Sequence, residues 1–239
     1  MKDAKSTDLS RRRALGQILA AVAGLPVAGV LFPQSSFAQA TAAAATSLSP
    51  EDDQFLNELE STNYLFFWEQ ANPKTGLVKD RCNVRADDQG IVASIAATGF
   101  GLTALCIAQK RGWIPYAAAR DRVLATLRFL WKGLPNHRGF FYHWADINTG
   151  ERVWDSEVSS VDTAILLCGV LTCRYHFRHR EISQLADDIF ARVDWTWLSE
   201  DTALLPHGWT PEFGFLPSRW DLYSELMMMY LLGLGSSTY

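Results

Sequence analysis

Three stretches of this chain, residues 92–108, 161–171 and 226–234, are apolar almost all round, and the first is rich in alanine and glycine. A helix with no polar face must be covered on every side, so these stretches predict the interior of a helical scaffold. Three others alternate with them, each with one wet face. The first opens on Ser49-Pro50-Glu51-Asp52, with serine as N-cap, proline at the first helical position and an acid three residues after the cap. Its apolar stripe is Phe55, Leu56, Leu59, Phe66 and Phe67. The second, residues 116–131, sets Val123, Leu124, Leu127 and Leu130 against Arg120, Asp121 and Arg128. The third, residues 181–193, repeats Ile182, Leu185, Ala186, Ile189, Phe190 and Val193 at helical spacing. No strand-period segment exceeds a few residues. Amphipathic helices alternating with buried ones predict an all-α fold, an α/α toroid of outer and inner helices.

The connections carry an asymmetry. Buried-to-amphipathic links are short, residues 109–114 and 177–179. Amphipathic-to-buried links are long, residues 71–91, 132–157 and 194–219, and loops of that length are usually functional. All three lead into the N-terminal ends of buried helices, so they are expected to gather at one mouth of the toroid.

That mouth is expected to be rich in acids and rings. Residues 139–162 alternate aromatic side chains with carboxylates, and residues 219–225 form a second such cluster. Rings that lie flat on sugar faces and acids that cleave glycosidic bonds point to a glycoside hydrolase. Asp155 and Glu157, flanked by Trp154 and His143, are candidate catalytic groups; their plainer role is negative charge near a helix N-terminus. Asp162 is a candidate sugar ligand, although Ser159-x-x-Asp162 is also a capping-box pattern. Glu225 is expected in the first turn of a buried helix. A carboxyl held there against apolar walls keeps its proton more firmly, as a general acid must. A salt bridge to Arg219 is the alternative, and Asp221 is the expected N-cap. Trp144, Trp154, Trp195, Trp197, Trp209 and Trp220 fall in or beside the long links, and Trp154, Trp209, Trp220 and Tyr223 are expected to line a groove. Arg81, in Lys79-Asp80-Arg81, is placed to fix a hydroxyl or orient a carboxylate.

Charge and cysteine usage narrow the partners. A net charge of −4 with scattered Lys and Arg excludes a nucleic-acid footprint. Residues 1–38 read as a twin-arginine export signal built on Ser10-Arg11-Arg12-Arg13, with an apolar stretch and a small-residue cleavage site at Ser36-Phe37-Ala38. Gly24, Pro26 and Gly29 interrupt that stretch, so no stable membrane anchor is expected after cleavage. The export machinery is then a transient partner, and the mature protein is periplasmic or secreted. Residues 39–48 read as a linker and 49–239 as the folded domain. Cys168, Cys173, His176 and His179 resemble a zinc set on paper. Residues five apart on a helix point about 140° apart, so packed thiols are the favoured reading and no metal or other cofactor is expected.

Several motifs together resemble the glucoamylase-like family of bacterial glycoside hydrolases, which includes the endo-β-1,2-glucanases of glycoside hydrolase family 144. They are Phe66-Phe67-Trp68-Glu69-Gln70, residues 76–81, residues 93–101, residues 139–144, residues 154–164 (Trp154-Asp155-Ser156-Glu157 onward), Arg192-Val193-Asp194-Trp195, Gly208-Trp209 and Tyr223-Ser224-Glu225. The resemblance implies an (α/α)6 barrel and inverting hydrolysis of a β-glucan without metal or organic cofactor. It also implies that Glu225 sits in the catalytic centre with Asp155, Glu157 and Asp162 nearby. Three of the six helix pairs are legible here, so a truncated form is expected, with the catalytic base on the other half. Two further classes stay open: a non-catalytic carbohydrate-binding remnant, and a zinc-dependent enzyme on the same scaffold.

Overall fold

Serines at the ends of two short strands set where the inner helices begin. Ser94 and Ser159 each adopt an extended backbone, and each side-chain oxygen accepts the backbone N–H three residues on. The computed structural model describes residues 48–200 and 202–238, so the expected signal and all but the last residue of the linker lie outside the described residues. In chain order the elements are α1 (Pro50–Glu69), β1 (Val78–Lys79), β2 (Val92–Ser94), α2 (Ile95–Arg111) and α3 (Tyr116–Lys132). Next come β3 (Asn136–His137), β4 (Phe140–Phe141), β5 (Trp144–Asp146), β6 (Val158–Ser159) and α4 (Ser160–Phe177). The last are α5 (Arg180–Ala191), the single-turn α6 (Trp195–Ser199), β7 (Gly208–Thr210), β8 (Gly214–Phe215) and α7 (Met227–Leu234).

The amphipathic–buried alternation holds as an order of elements. The apolar helices α2 and α4 pack on each other, as do α4 and α7, while the amphipathic α3 packs on α5. Backbones come very close where α2 crosses α4. A Cβ built on Gly169 would lie 2.2 Å from the Gly99 carbonyl oxygen, and one on Gly99 2.6 Å from Leu166 Cα. One face lower, Cys106 and Cys173 meet with sulfurs 3.6 Å apart. Both are buried in the core, and burial pushes the Cys173 thiol well up. His176 instead bonds Gln109 at 2.6 Å, so the paper zinc set is not assembled.

Three expectations need correction. Residues 92–94 are strand rather than helix, because they pair with β5 before Ser94 caps α2. Of the three all-apolar helices, only α4 is covered almost all round. Helix α2 leaves Phe100 and Ile107 exposed, and α7 leaves Met227, Leu231 and Leu234 exposed. Helix α4 has α2, α5 and α7 around it, whereas α7 packs mainly on α4. The stripe of α1 is likewise buried only near its end: Phe55, Leu56 and Leu59 are exposed, and Tyr64 is the buried residue. Among the described residues no helix is long and apolar enough to cross a membrane.

Short strands stitch the long links together. Antiparallel β1, β2 and β5 form one sheet, and β6, β7 and β8 another. A bridge between Tyr142 and Val158 joins the two. The links at 71–91, 132–157 and 194–219 therefore all meet at the N-terminal ends of α2 and α4, which is the convergence the sequence predicts.

Candidate active site

The N-terminus of α4 and the strand residues before it build a three-residue cluster. Ser159 Oγ accepts the Asp162 N–H and donates to the Asp162 carboxylate at 2.5 Å, so Asp162 is the cap partner its spacing predicts. The same carboxylate also faces inward, with Oδ2 3.6 Å from His143 Nε2. The other ring nitrogen, His143 Nδ1, is 3.0 Å from Glu157 Oε1. The backbone fixes this geometry. The His143 N–H donates to the Glu157 carbonyl at 2.9 Å, and the His143 carbonyl accepts the Ile95 N–H at 3.2 Å. That N–H is one of the first-turn donors a helix cannot satisfy internally. His143 is thus tied to the starts of both inner helices.

Electrostatics favour a charged imidazole between carboxylates. Burial opposes the charge on His143, but the Glu157 hydrogen bond and the negative charges of Asp162, Glu157 and Asp80 outweigh it, and its pKa is raised. Burial also opposes ionisation of Glu157, yet the His143 hydrogen bond and charge prevail and hold its carboxyl below the usual range. One donor atom from each of His143, Glu157 and Asp162 lies within 4.8 Å of the others, a spacing that admits a metal ion. With both ring nitrogens facing carboxylates, however, the imidazole is set up to donate twice, and a doubly protonated ring has no lone pair for a metal.

A pH profile follows. The raised His143 pKa means its ion-pair stabilisation is fully present below about pH 6.5, the ordinary histidine value, and is lost as pH rises through the raised folded value. The lowered Glu157 pKa means its share is present above about pH 4.3, the ordinary glutamate value, and is lost as pH falls through the lowered folded value. Melting temperature plotted from pH 4 to pH 9 is expected to lose this contribution on the alkaline side, and His143→Gln to remove that arm of the curve.

Aromatic rings lead from the cluster to solvent. The Trp144 ring stacks on His143 at 3.7 Å and 12°, and Trp154 meets Trp144 edge-on at 5.3 Å. Trp154 is 64% exposed and lines an open cleft of about 400 Å³ with Asp80, Arg81, Cys82, Asn83, Asp88 and Val92. Asp80, at the end of β1, is held by Arg81 and by its N–H bond to the Val92 carbonyl. An exposed indole beside a bank of carboxylates and one arginine is a surface that stacks on a sugar ring and bonds its hydroxyls.

The other candidates are placed less uniformly. Asp155 is exposed in a turn with left-handed backbone (φ 47°), and its carboxylate makes no hydrogen bond or ion pair among the described residues. Trp220 is moored at the rim: its Nε1 donates to Ser160 Oγ at 3.0 Å and its ring stacks on His207. Trp209 stacks on His137 at 4.0 Å and packs edge-on to Trp197, so it is a wall of the third link rather than a free platform. Trp195 is fully buried packing. Tyr223 is 84% exposed. Glu225 departs most from expectation: it lies in an exposed turn before α7, outside the helix and without apolar walls. Arg219 bonds Glu200 at 2.8 Å instead of Glu225, and the cap position of α7 falls on Leu226 rather than Asp221. The sequence reading missed Arg152 and Glu212, whose pairing spans 60 residues. Only an arginine set among acids and rings hinted at the first, and nothing local marked the second.

Carboxylates and indoles share one rim of this helical scaffold, and proteins that the chain resembles are enzymes named for β-1,2-linked glucans. It is 27% identical over 209 residues, 82% of its length, to the exo β-1,2-glucooligosaccharide sophorohydrolase (non-reducing end) of Parabacteroides distasonis. Its fold is similar to that of the endo-β-1,2-glucanase from Chitinophaga pinensis, with a TM-score of 0.72 at 24% identity over 80% of this chain. It also matches β-1,2-glucanase from Parabacteroides distasonis, with a TM-score of 0.68 at 27% identity over 76% of this chain. The chain spans 28%, 48% and 27% of these proteins respectively. No protein-family model matches it.

Proposed function

We propose that this chain forms one wall of an exported β-1,2-glucan hydrolase, supplying three helix pairs of an (α/α)6 toroid. The observation that carries the reading is the meeting of three long links at one rim, where His143, Glu157 and Asp162 cluster and Trp144 connects them to the exposed Trp154. The similarity to β-1,2-glucan-degrading enzymes supports the substrate class, and the match to about half of the Chitinophaga enzyme supports a toroid completed by further helices. The twin-arginine signal remains part of the proposal, with a periplasmic or secreted location.

In this reading Glu157 and Asp162 both face His143 and bond sugar hydroxyls, while Asp155 and Trp154 hold the next ring. The acid role falls to Glu225, whose carboxyl is exposed until a saccharide covers and desolvates it. Inversion would place a base about 6.5–9.5 Å away on the opposite wall. The test is reducing-sugar release by the natural protein from β-1,2-glucan beside β-1,3- and α-1,4-glucans. Release from the β-1,2 polymer above the others is expected. Binding of that polymer without any release would replace catalysis with a carbohydrate-binding role.

A further inference from the structure

Arg152 is the most fully engaged cation at the rim. Its guanidinium donates from Nη1 and Nη2 to the Glu212 carboxylate at 2.6 and 3.1 Å. It also donates from Nε to the Ser156 carbonyl at 2.6 Å and from Nη2 to the Asp155 carbonyl at 2.5 Å. Its flat face lies 5.0 Å from the Tyr142 ring centroid. Those two carbonyls lie at the C-terminal side of a strained piece of chain, since Trp154 and Asp155 both have left-handed backbone, at φ 58° and 47°. Non-glycine residues persist in that region only when surrounding contacts impose it. Ser156 adds a second tie, exchanging hydrogen bonds at 3.3 Å with the Trp144 backbone. Glu212 belongs to the β7–β8 turn of the third link, so Arg152 joins the second link to the third.

We propose that Arg152 is a positioning residue: by clamping the Trp154–Asp155 turn to Glu212 it presents the Trp154 ring to the saccharide. This rests on the reading above for the ligand, but not for the clamp. Lysine cannot replace it, because one ammonium cannot serve a carboxylate and two diverging carbonyls while stacking on Tyr142.

The test uses the chain labelled with 5-fluorotryptophan and sophorotriose as the probe. Trp154→Phe assigns the Trp154 fluorine resonance. Arg152→Gln and Arg152→Lys are both expected to shift or broaden that resonance, and a spectrum overlaying wild type would overturn the clamp. Binding of sophorotriose is expected to weaken about tenfold in Arg152→Gln, the scale of a misplaced contact. The double variant with Trp154→Phe should bind no more weakly than Trp154→Phe alone, whereas additive losses would show that Arg152 does not act through Trp154. If wild type fails to bind sophorotriose, the saccharide reading falls while the fluorine spectra still decide the clamp. If Arg152→Gln does not fold, Glu212→Gln, which leaves both carbonyl bonds, serves for the same comparisons.

Discussion

Glu225→Gln is expected to lower turnover of β-1,2-glucan by about 10³-fold, within the range general-acid catalysis contributes. Helicity and melting temperature should not move, because Glu225 is exposed and makes no hydrogen bond or ion pair among the described residues. The reasoning is one of elimination among carboxylates. Glu157 is held ionised by His143, Asp162 is shared between Ser159 and His143, and Asp80 is paired with Arg81. Each of these carboxylates already has a partner. Asp155 and Glu225 have no such partner among the described residues; Asp155 sits beside Trp154 as a sugar ligand in this proposal, which leaves Glu225 for the acid. Steady-state kinetics on the natural protein and the variant decide it. A fall in kcat supports the acid role; a change confined to KM makes Glu225 a sugar ligand, and full activity removes it from the site.

Gly169→Ala is expected to destabilise the fold by about 3 kcal/mol, at the upper end of ordinary overpacking, because what it strikes is backbone. The new Cβ would sit 2.2 Å from the Gly99 carbonyl oxygen, with Gly99 C and Cα both within 3 Å. Neither helix can yield without moving the N-terminal turns that hold His143, Ser94 and Ser159. For a domain of this size the melting temperature should fall by roughly 6–12 °C. Gly112→Ala is the comparison, since Gly112 has φ 77° but open space around it, and should cost only about 1 kcal/mol. Denaturant melts of the two variants separate a packing collision from a loss of backbone freedom. Equal and small effects would mean that α2 and α4 do not meet at these glycines.

Periodicity made the helices legible, and capping chemistry made two of their starts legible, because both are local. Residues 161–171 read as buried and are, since α4 has neighbours on most sides. Residues 226–234 read the same way, yet α7 is covered on one flank only, and composition cannot say which neighbour a helix will find. The link lengths forecast the shared rim, because topology alone forces three lead-in segments toward the same helix ends. The His143–Glu157–Asp162 cluster was legible residue by residue but not as a unit. The sequence marks His143 as a substrate-binding ring beside Asp155 and Glu157; its role as hub depends on backbone pairing between Tyr142 and Val158. Glu225 was misplaced because an unbroken apolar run was taken to extend the helix back to it. Residues 222–226 instead form bends and turns, and Glu225 among them is exposed.

The proposed saccharide site rests on one rim, where Trp154 stands near a cluster of His143, Glu157 and Asp162. A crystal structure of the protein soaked with sophorotriose tests it most directly. A glucose ring lying on the face of Trp154, with a hydroxyl in hydrogen-bond reach of Glu157 or Asp162, is the expected result. Sugar bound away from that rim, with the cluster untouched, would contradict the account.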